Sequence, residues 1–423
     1  MFITDRPIFT WNPSHAQVLE SQDFAKQPPG TILRDFGALL DLIQPKGLAV
    51  TPKHLFAMNT LETINQRLTH PVDLQLKRPG QKSYPNINGL YLVLRATGLA
   101  LIDTCGKKPI LMLDPEILDL WSDLNPAEAY FALLRAWWGA ADETIIDKRS
   151  REDVFAKSTR FLRQFKEQGP GWLQHPPVID SLTYSPGLHN LALLELFGLL
   201  EIELVPPVEG QGWQPRQIHI TAWGDALMAH FEHFLNELRT PAPDAPEPQL
   251  TISDLFEPSK RFETWAAGLR SKFNNWQRNL ELPAPPLQPG QHIFRASLSP
   301  DCWRRIAIAG EAGFDQLASA ILAAFDFDED HLYAFNFQDR LGRPAEIGHP
   351  EMQAELDGKL ADQVRVGELG LTKGASMVFV FDFGANWEFD LIVEQVRKEA
   401  AAKNPQVLEA NGEAPPQYDD EDW

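Results

Sequence analysis

Two proline-rich stretches constrain this 423-residue chain more than any other feature. TPAPDAPEPQ (240–249) packs four prolines into ten residues, and LPAPPLQPG (282–290) follows it. Proline fixes φ and removes a backbone donor, so neither stretch can continue a helix or sit inside a sheet. The main domain boundary is therefore expected across 240–290, a proline-rich linker with one helix at about 259–280 that carries Trp265 and Trp276. A hydrophobic share of 43% is ample for packed cores on both sides.

Before the break, two stretches share a pattern. GLYLVLRATGLALIDTCGKKPILMLDPEILDLW (89–121) and GLHNLALLELFGLLEIELVPPVEGQGWQPRQIHITAWGDALMAHF (187–231) each read as a helix ending in Gly-Leu, a strand, a polar turn, a second strand (ILML, IHIT) and a new helix. That order is the back half of a winged helix-turn-helix, and helices at about 55–68 and 152–167 supply the front halves. The expected N-terminal region is thus mostly helical: a segment 1–50, then tandem winged-helix units at 51–140 and 141–239. Helix 152–167 puts Val154, Phe155, Ser158, Phe161, Leu162 and Phe165 on one face. Helix 223–238 lines up Leu227, Phe231, Phe234, Leu235 and Leu238.

After the break the period changes. HIFRASLS (292–299) and RRIAIAG (304–310) read as strands, and Phe314, Leu317, Ala318, Ile321, Leu322 and Phe325 follow at helical spacing. HLYAFNF (331–337), SMVFVFDF and WEFDLIVEQV give three more strands, the last two joined by a tight turn at Gly-Ala-Asn. The predicted fold class is α+β, with a C-terminal mixed sheet over 291–403, a helix packed on one face and an acidic tail at 404–423.

Three pieces of this domain carry a resemblance. CWRRIAIAGEAGFDQLASAILAAFDFDEDHLYAF, VFDFGANWEFDLIVEQV and VLEANGEAPPQY stand in the order and spacing of the plasmid pRiA4b ORF-3-like family, over about 292–417. That family's pattern has a Trp-Arg-Arg start, a helix ending in Gly-Trp-Asp, a following His, and a Tyr-Asp-Phe-Gly-Asp-x-Trp-x-His corner. Trp303, Arg304, Arg305, Asp328, His331, Asp382, Gly384, Trp387 and Glu388 match it. Ala385 replaces the second Asp, Phe389 the His, and Phe327 the Trp. The resemblance implies a setting of plasmids and mobile elements, in which members are sometimes labelled transposon passenger proteins. It implies no defined reaction.

Chemistry must therefore be weighed residue by residue. Asp-Phe-Gly at 382–384 is also a kinase motif, but the sequence has no glycine-rich loop, lysine strand or His-Arg-Asp loop to accompany it. A hairpin corner explains the letters better, with Gly384 supplying unusual backbone angles and Asp382 accepting from turn amides. Asp328, Glu329, Asp330 and His331 form a cluster of hard ligands that Asp382 could join, yet a polar turn at a helix end, with His331 as a strand's first residue, accounts for them better. A metal-dependent enzyme there needs His331 and those carboxylates within about 8 Å, since metal–oxygen bonds are about 2–2.6 Å long. Arg304 and Arg305 could hold an anion or stack on Trp387, or form internal salt bridges. His230 and His233 have ligand spacing but no third partner, so solvated histidines are expected.

The formal charge of −20 repels polyanions, and about half of it lies between Glu351 and Trp423. Nucleic-acid contact would need local patches: Lys77, Arg78 and Lys82, or Lys157, Arg160, Arg163 and Lys166 on the exposed face of 152–167. The recognition-helix positions, 86–97 and 187–199, carry only Arg95 as a basic residue. Base readout is therefore poorly served, and winged units used for protein contact fit at least as well. Cys105 and Cys302 cannot build a zinc pattern and suit a reduced compartment, the cytoplasm. The N-terminus has no signal-peptide pattern, and the greasiest stretch, 188–205, contains three glutamates, so no membrane span is expected. No cofactor is implied. The reading that results is a non-enzymatic binding or adaptor protein with a protein partner, DNA binding and a metal-dependent reaction at His331 and Asp382 being the alternatives.

Overall fold

The computed structural model describes residues 12–103, 108–146, 153–167, 171–239, 258–352, 359–399, 402 and 404–418. The chain forms two compact units, Met1–Leu282 and Pro283–Trp423. Residues 240–249, Cys105 and the terminal 419–423 lie outside the described residues.

In the first unit, α1 (Pro13–Glu20), α2 (Ile32–Ile43), β1 (Leu48–Ala49), α3 (Met58–Arg67), α4 (Pro85–Ala96), β2 (Ala100–Asp103), β3 (Ile110–Leu113), α5 (Pro115–Ser122) and α6 (Pro126–Arg135) come first. Then follow α7 (Val154–Glu167), α8 (Pro176–Ser181), α9 (Leu188–Leu196), β4 (Leu200–Leu204), β5 (Pro215–Ile220), α10 (Ala222–Arg239) and α11 (Pro258–Arg270). The repeated order of helix, two antiparallel strands and helix is present twice, as α4–β2–β3–α5 and α9–β4–β5–α10.

The first helices of the two repeats pack on one another. Every residue of α4 is buried, and α9 buries seven of its nine. Gly89 lets the two helices meet: a Cβ there would lie 2.7 Å from Leu193 Cγ and 3.0 Å from the His189 carbonyl. The helices that a winged-helix protein would present to a base edge are thus packed against each other. Neither can enter a major groove without opening the core.

The apolar face read for α7 is buried as expected, from Val154 to Phe165. Lys157, placed by the sequence on the exposed basic face, is only 6% exposed. Its ammonium pairs with Glu143, which also receives His189 Nε2 at 2.7 Å and Asn190 Nδ2 at 2.8 Å. Three side chains thus meet on one buried carboxylate, an arrangement in which each partner offsets the cost of burying the others.

Residues 258–282, read above as part of a linker, are packed into this unit. Phe262, Trp265, Ala266 and Leu269 of α11 are buried, and the Trp276 ring stacks on Phe131 with centroids 3.7 Å apart. Asn125 and Glu128 form a capping box at the start of α6, and Glu128 Oε1 also accepts the Arg278 amide at 3.0 Å. Aromatic bulk outweighs the proline-rich flank here, because a Trp buries more apolar surface than a linker can leave in water.

The second unit is an eight-stranded sheet in the order β10-β9-β8-β11-β12-β6-β7-β13. Its strands are β6 (Gln291–Ser299), β7 (Cys302–Ala309), β8 (Tyr333–Gln338), β9 (Pro344–Gly348), β10 (Lys359–Leu360), β11 (Ser376–Phe381), β12 (Trp387–Arg397) and β13 (Gln406–Asn411). Only β10 against β9 is parallel among the described pairs. Helix α12 (Phe314–Ala324) lies across one face, and all six residues of its predicted stripe are buried, Phe325 falling just past its end. The α+β architecture stands as read. The segment expected to be an acidic tail supplies the edge strand β13, which pairs with β7 from Gln406↔Ala307 to Asn411↔Trp303. Its six residues are all exposed, so no hydrophobic alternation marked it as a strand.

Candidate functional site

Of the matched positions, Asp382, Gly384, Trp387 and Glu388 form the corner between β11 and β12, and His331 stands beside it, whereas Trp303, Arg304 and Arg305 lie on β7. Phe381 pairs with Trp387, leaving Asp382–Asn386 as the turn. Asp382 and Asn386 have φ of 53° and 54°, while Gly384 is not in the left-handed region. This corrects the expectation that Gly384 supplies the unusual angles. Short polar side chains tolerate that region because they bond the local backbone. Asp382 Oδ1 accepts the amides of Gly384 at 2.9 Å and Ala385 at 3.3 Å, and the Asp382 amide donates to the Leu332 carbonyl at 3.0 Å. A Cβ on residue 384 would stand 3.2 Å from that same Oδ1, so glycine is there for closeness. Asp382→Asn should keep the turn, whereas Asp382→Ala should lower the second unit's stability by about 1–2 kcal/mol, read by urea unfolding.

His331 leans over this turn, its Nε2 3.6 Å from Asp382 Oδ2 and 4.0 Å from Asp330 Oδ2. Asp330 is itself held by Tyr418, whose hydroxyl donates to Oδ2 at 2.6 Å, and by Gln417 Nε2, 3.0 Å from Oδ1. The Tyr418 bond, first among the causes, keeps the Asp330 carboxyl below its ordinary range. Desolvation and then that same bond push the tyrosine up to about 12. Gln417 also accepts the Asp328 amide at 2.6 Å, closing the chain's last described residues over the 328–331 turn. Sequence reading brought Asp328, Asp330 and His331 together but missed Gln417 and Tyr418. Nearly ninety residues separate the partners, and no local period links them. Among the described residues no group of three His, Cys, Asp or Glu could hold a metal ion. The His331–Asp382 pair is close, but Asp330 is engaged elsewhere.

The departures from the family pattern also find reasons. Phe389 is fully buried against Phe325 and Phe379, where an imidazole would lack water. Phe327 meets Trp387 edge-on at 4.9 Å. Glu388 is exposed and accepts from Asn386 Nδ2 at 3.0 Å. At the tip, Phe383 is 49% exposed on a turn whose two ends are fixed.

Arg304 and Arg305 part company. Arg304 is buried and binds carbonyls: Nε to Ala324 at 2.8 Å, and Nη1 to Trp303, Asn411 and Gly412 at 3.0, 2.9 and 3.1 Å. Ala324 ends α12, so the cation also faces the negative end of the helix dipole. Its guanidinium lies 4.5 Å from the Phe325 ring centroid; neither arginine has a described stack on Trp387. Arg305 takes the salt-bridge reading, bonding Glu394 at 2.6 Å and pairing with Glu409 across the strands. Arg295 and Arg305 both lie against the Trp303 ring, at 4.6 and 5.7 Å.

Of the basic positions, Lys77, Arg78 and Lys82 are exposed ahead of α4. Arg160 and Arg163 are half-buried, with Arg160 Nη2 on Ser185 Oγ at 3.2 Å. The side chains of Lys166 and His233 lie outside the described residues. His230 is not solvated as expected: it is buried, its Nε2 2.8 Å from the Trp265 carbonyl. Helix α11, invisible to a helical wheel of α10, covers it. Cys302 is a free thiol. No helix among the described residues is long and apolar enough to cross a membrane.

Residues 294–420 match the family described as plasmid pRiA4b ORF-3-like protein. The uncharacterized protein y4hQ of Sinorhizobium fredii (strain NBRC 101917 / NGR234) is 27% identical over 123 residues, 28% of this chain and 60% of that protein. The match thus spans about three fifths of the relative's own length. The crystal structure of MM3350, a protein of unknown function from Methanosarcina mazei Go1, is 23% identical over 30% of this chain and 72% of its own, with a TM-score of 0.26.

Proposed function

We propose that this chain is a non-enzymatic binding or adaptor protein that holds a protein partner at the corner of its pRiA4b ORF-3-like domain. The observation that carries the reading is the exposed Phe383 on a turn whose following amides, at Gly384 and Ala385, are both taken by Asp382. Aromatic side chains fixed in advance make strong contact points, because little freedom remains to be lost on binding. The half-exposed His331 and exposed Glu388 give that point a polar surround. The family resemblance directs the search for the partner to plasmids and mobile elements.

The test is capture from extracts of the native host, with and without nuclease. A partner should survive nuclease, and Phe383→Ala should lower its retention by about thirtyfold, the scale of a 2 kcal/mol hot spot. The urea midpoint should stay unchanged. Capture abolished by nuclease, with affinity falling steeply in salt, would favour DNA held at Lys77, Arg78 and Lys82 instead. A Mn²⁺ or Zn²⁺ site seen by calorimetry and lost in His331→Ala would favour the metal-dependent enzyme.

A further inference from the structure

The first unit contains a cavity of about 490 Å³, within the roughly 300–1,000 Å³ of small-ligand pockets. Its wall is chemically one-sided. Asp35, Glu195, Glu201 and Glu203 line it, and among the described residues no Lys or Arg does. Asp35 is satisfied by Thr31 Oγ1 at 2.7 Å, the Thr69 amide at 2.7 Å and Thr69 Oγ1 at 2.6 Å. Glu195 has one described bond, from the Ile202 amide to Oε1 at 3.2 Å. Asn86, only 5% exposed, stands in the same wall with its Oδ1 lacking any hydrogen-bond partner. Orphaned buried acceptors are rare and call for a donor. Leu196, Leu200 and Ile202 supply apolar wall, and Trp172, 37% exposed, adds an aromatic face.

We propose that this cavity binds a small organic cation, an alkylamine or alkylguanidine, with its charged head on Glu195, an N–H donated to Asn86 Oδ1, and its stem along Trp172 and the leucines. Each feature answers one part of such a ligand. The carboxylates set the sign of charge, the orphaned amide oxygen wants a donor, and an indole attracts cations through its ring face. The proposal is independent of the reading of the C-terminal corner.

A pH signature comes with it. Burial, before any other cause, raises the Glu195 carboxyl to about 7; the Ile202 amide opposes that rise and Glu201 adds to it. The ionisable groups lining the cavity around it are Asp35 from α2, His70 after α3, and Glu201 and Glu203 from β4, the last paired with Arg216 of β5. A cation requires the ionised form, so affinity should rise about tenfold from pH 6 to pH 8.

The experiment is calorimetric titration of the full chain with putrescine and agmatine, against 1-butanol and succinate. One cation per chain is expected, with neither control binding. Glu195→Gln should weaken it at least tenfold while raising the melting temperature near pH 7.5, which separates lost binding from lost fold. Trp172→Ala should weaken it severalfold. Equal binding by Glu195→Gln, a preference for succinate, or no heat from either amine at 10 mM (roughly the weakest useful affinity) overturns the proposal.

Discussion

Glu143→Ala is expected to unfold the first unit at temperatures where the parent chain stays folded, at a cost of about 3–5 kcal/mol. The carboxylate holds Lys157, His189 and Asn190 together, and Asn190 in turn accepts the Trp137 indole N–H at 3.0 Å. Removing it strands a buried ammonium and leaves further donors short. Net stability of a domain is about 5–15 kcal/mol, so a loss of this size is visible in any thermal melt. Charge, not volume, should dominate. The double variant Glu143→Leu with Lys157→Met ought to recover much of the loss, since exchanging a whole buried pair for apolar residues is often near neutral. A single-variant loss under about 1 kcal/mol would show that the network is not what holds this core.

Arg304→Met should cost the second unit about 3 kcal/mol and release its edge strand. The thioether can fill the space beside Phe325 but cannot bond the carbonyls of Ala324, Trp303, Asn411 and Gly412. Two of those carbonyls belong to the end of β13 and the turn after it. The expected readout is faster proteolysis within 404–418, with hydrogen exchange rising there before the central strands. Arg304→Lys should rescue little, because one ammonium cannot reach acceptors spread over three segments. Protection unchanged in both variants would refute the view that Arg304 fastens β13.

The candidate corner was legible in part, and the reasons are specific. The letters Asp-Phe-Gly marked a turn correctly, because short polar residues and glycine carry local backbone information. Which residue adopts the left-handed angles was not legible, since Asp382, Gly384 and Asn386 all could. Lys157 and His230 were misread on helical wheels. A wheel knows one helix, while Glu143 and the Trp265 carbonyl arrive from other parts of the chain.

By itself the sequence settled what depends on neighbours in the chain: the buried stripes of α7 and α12, the strands near 292–299, 376–383 and 387–396, and the α+β class. Hydrophobic period is a local property and survives any arrangement of the elements. The tertiary structure alone decided that α4 and α9 face each other, that residues 258–282 pack into the first unit, that an exposed acidic segment closes the sheet, and that Asn86 and Glu195 share a cavity. Those outcomes turn on contacts between residues far apart in sequence, where burial fixes charge state and accessibility, and no short window of letters encodes them.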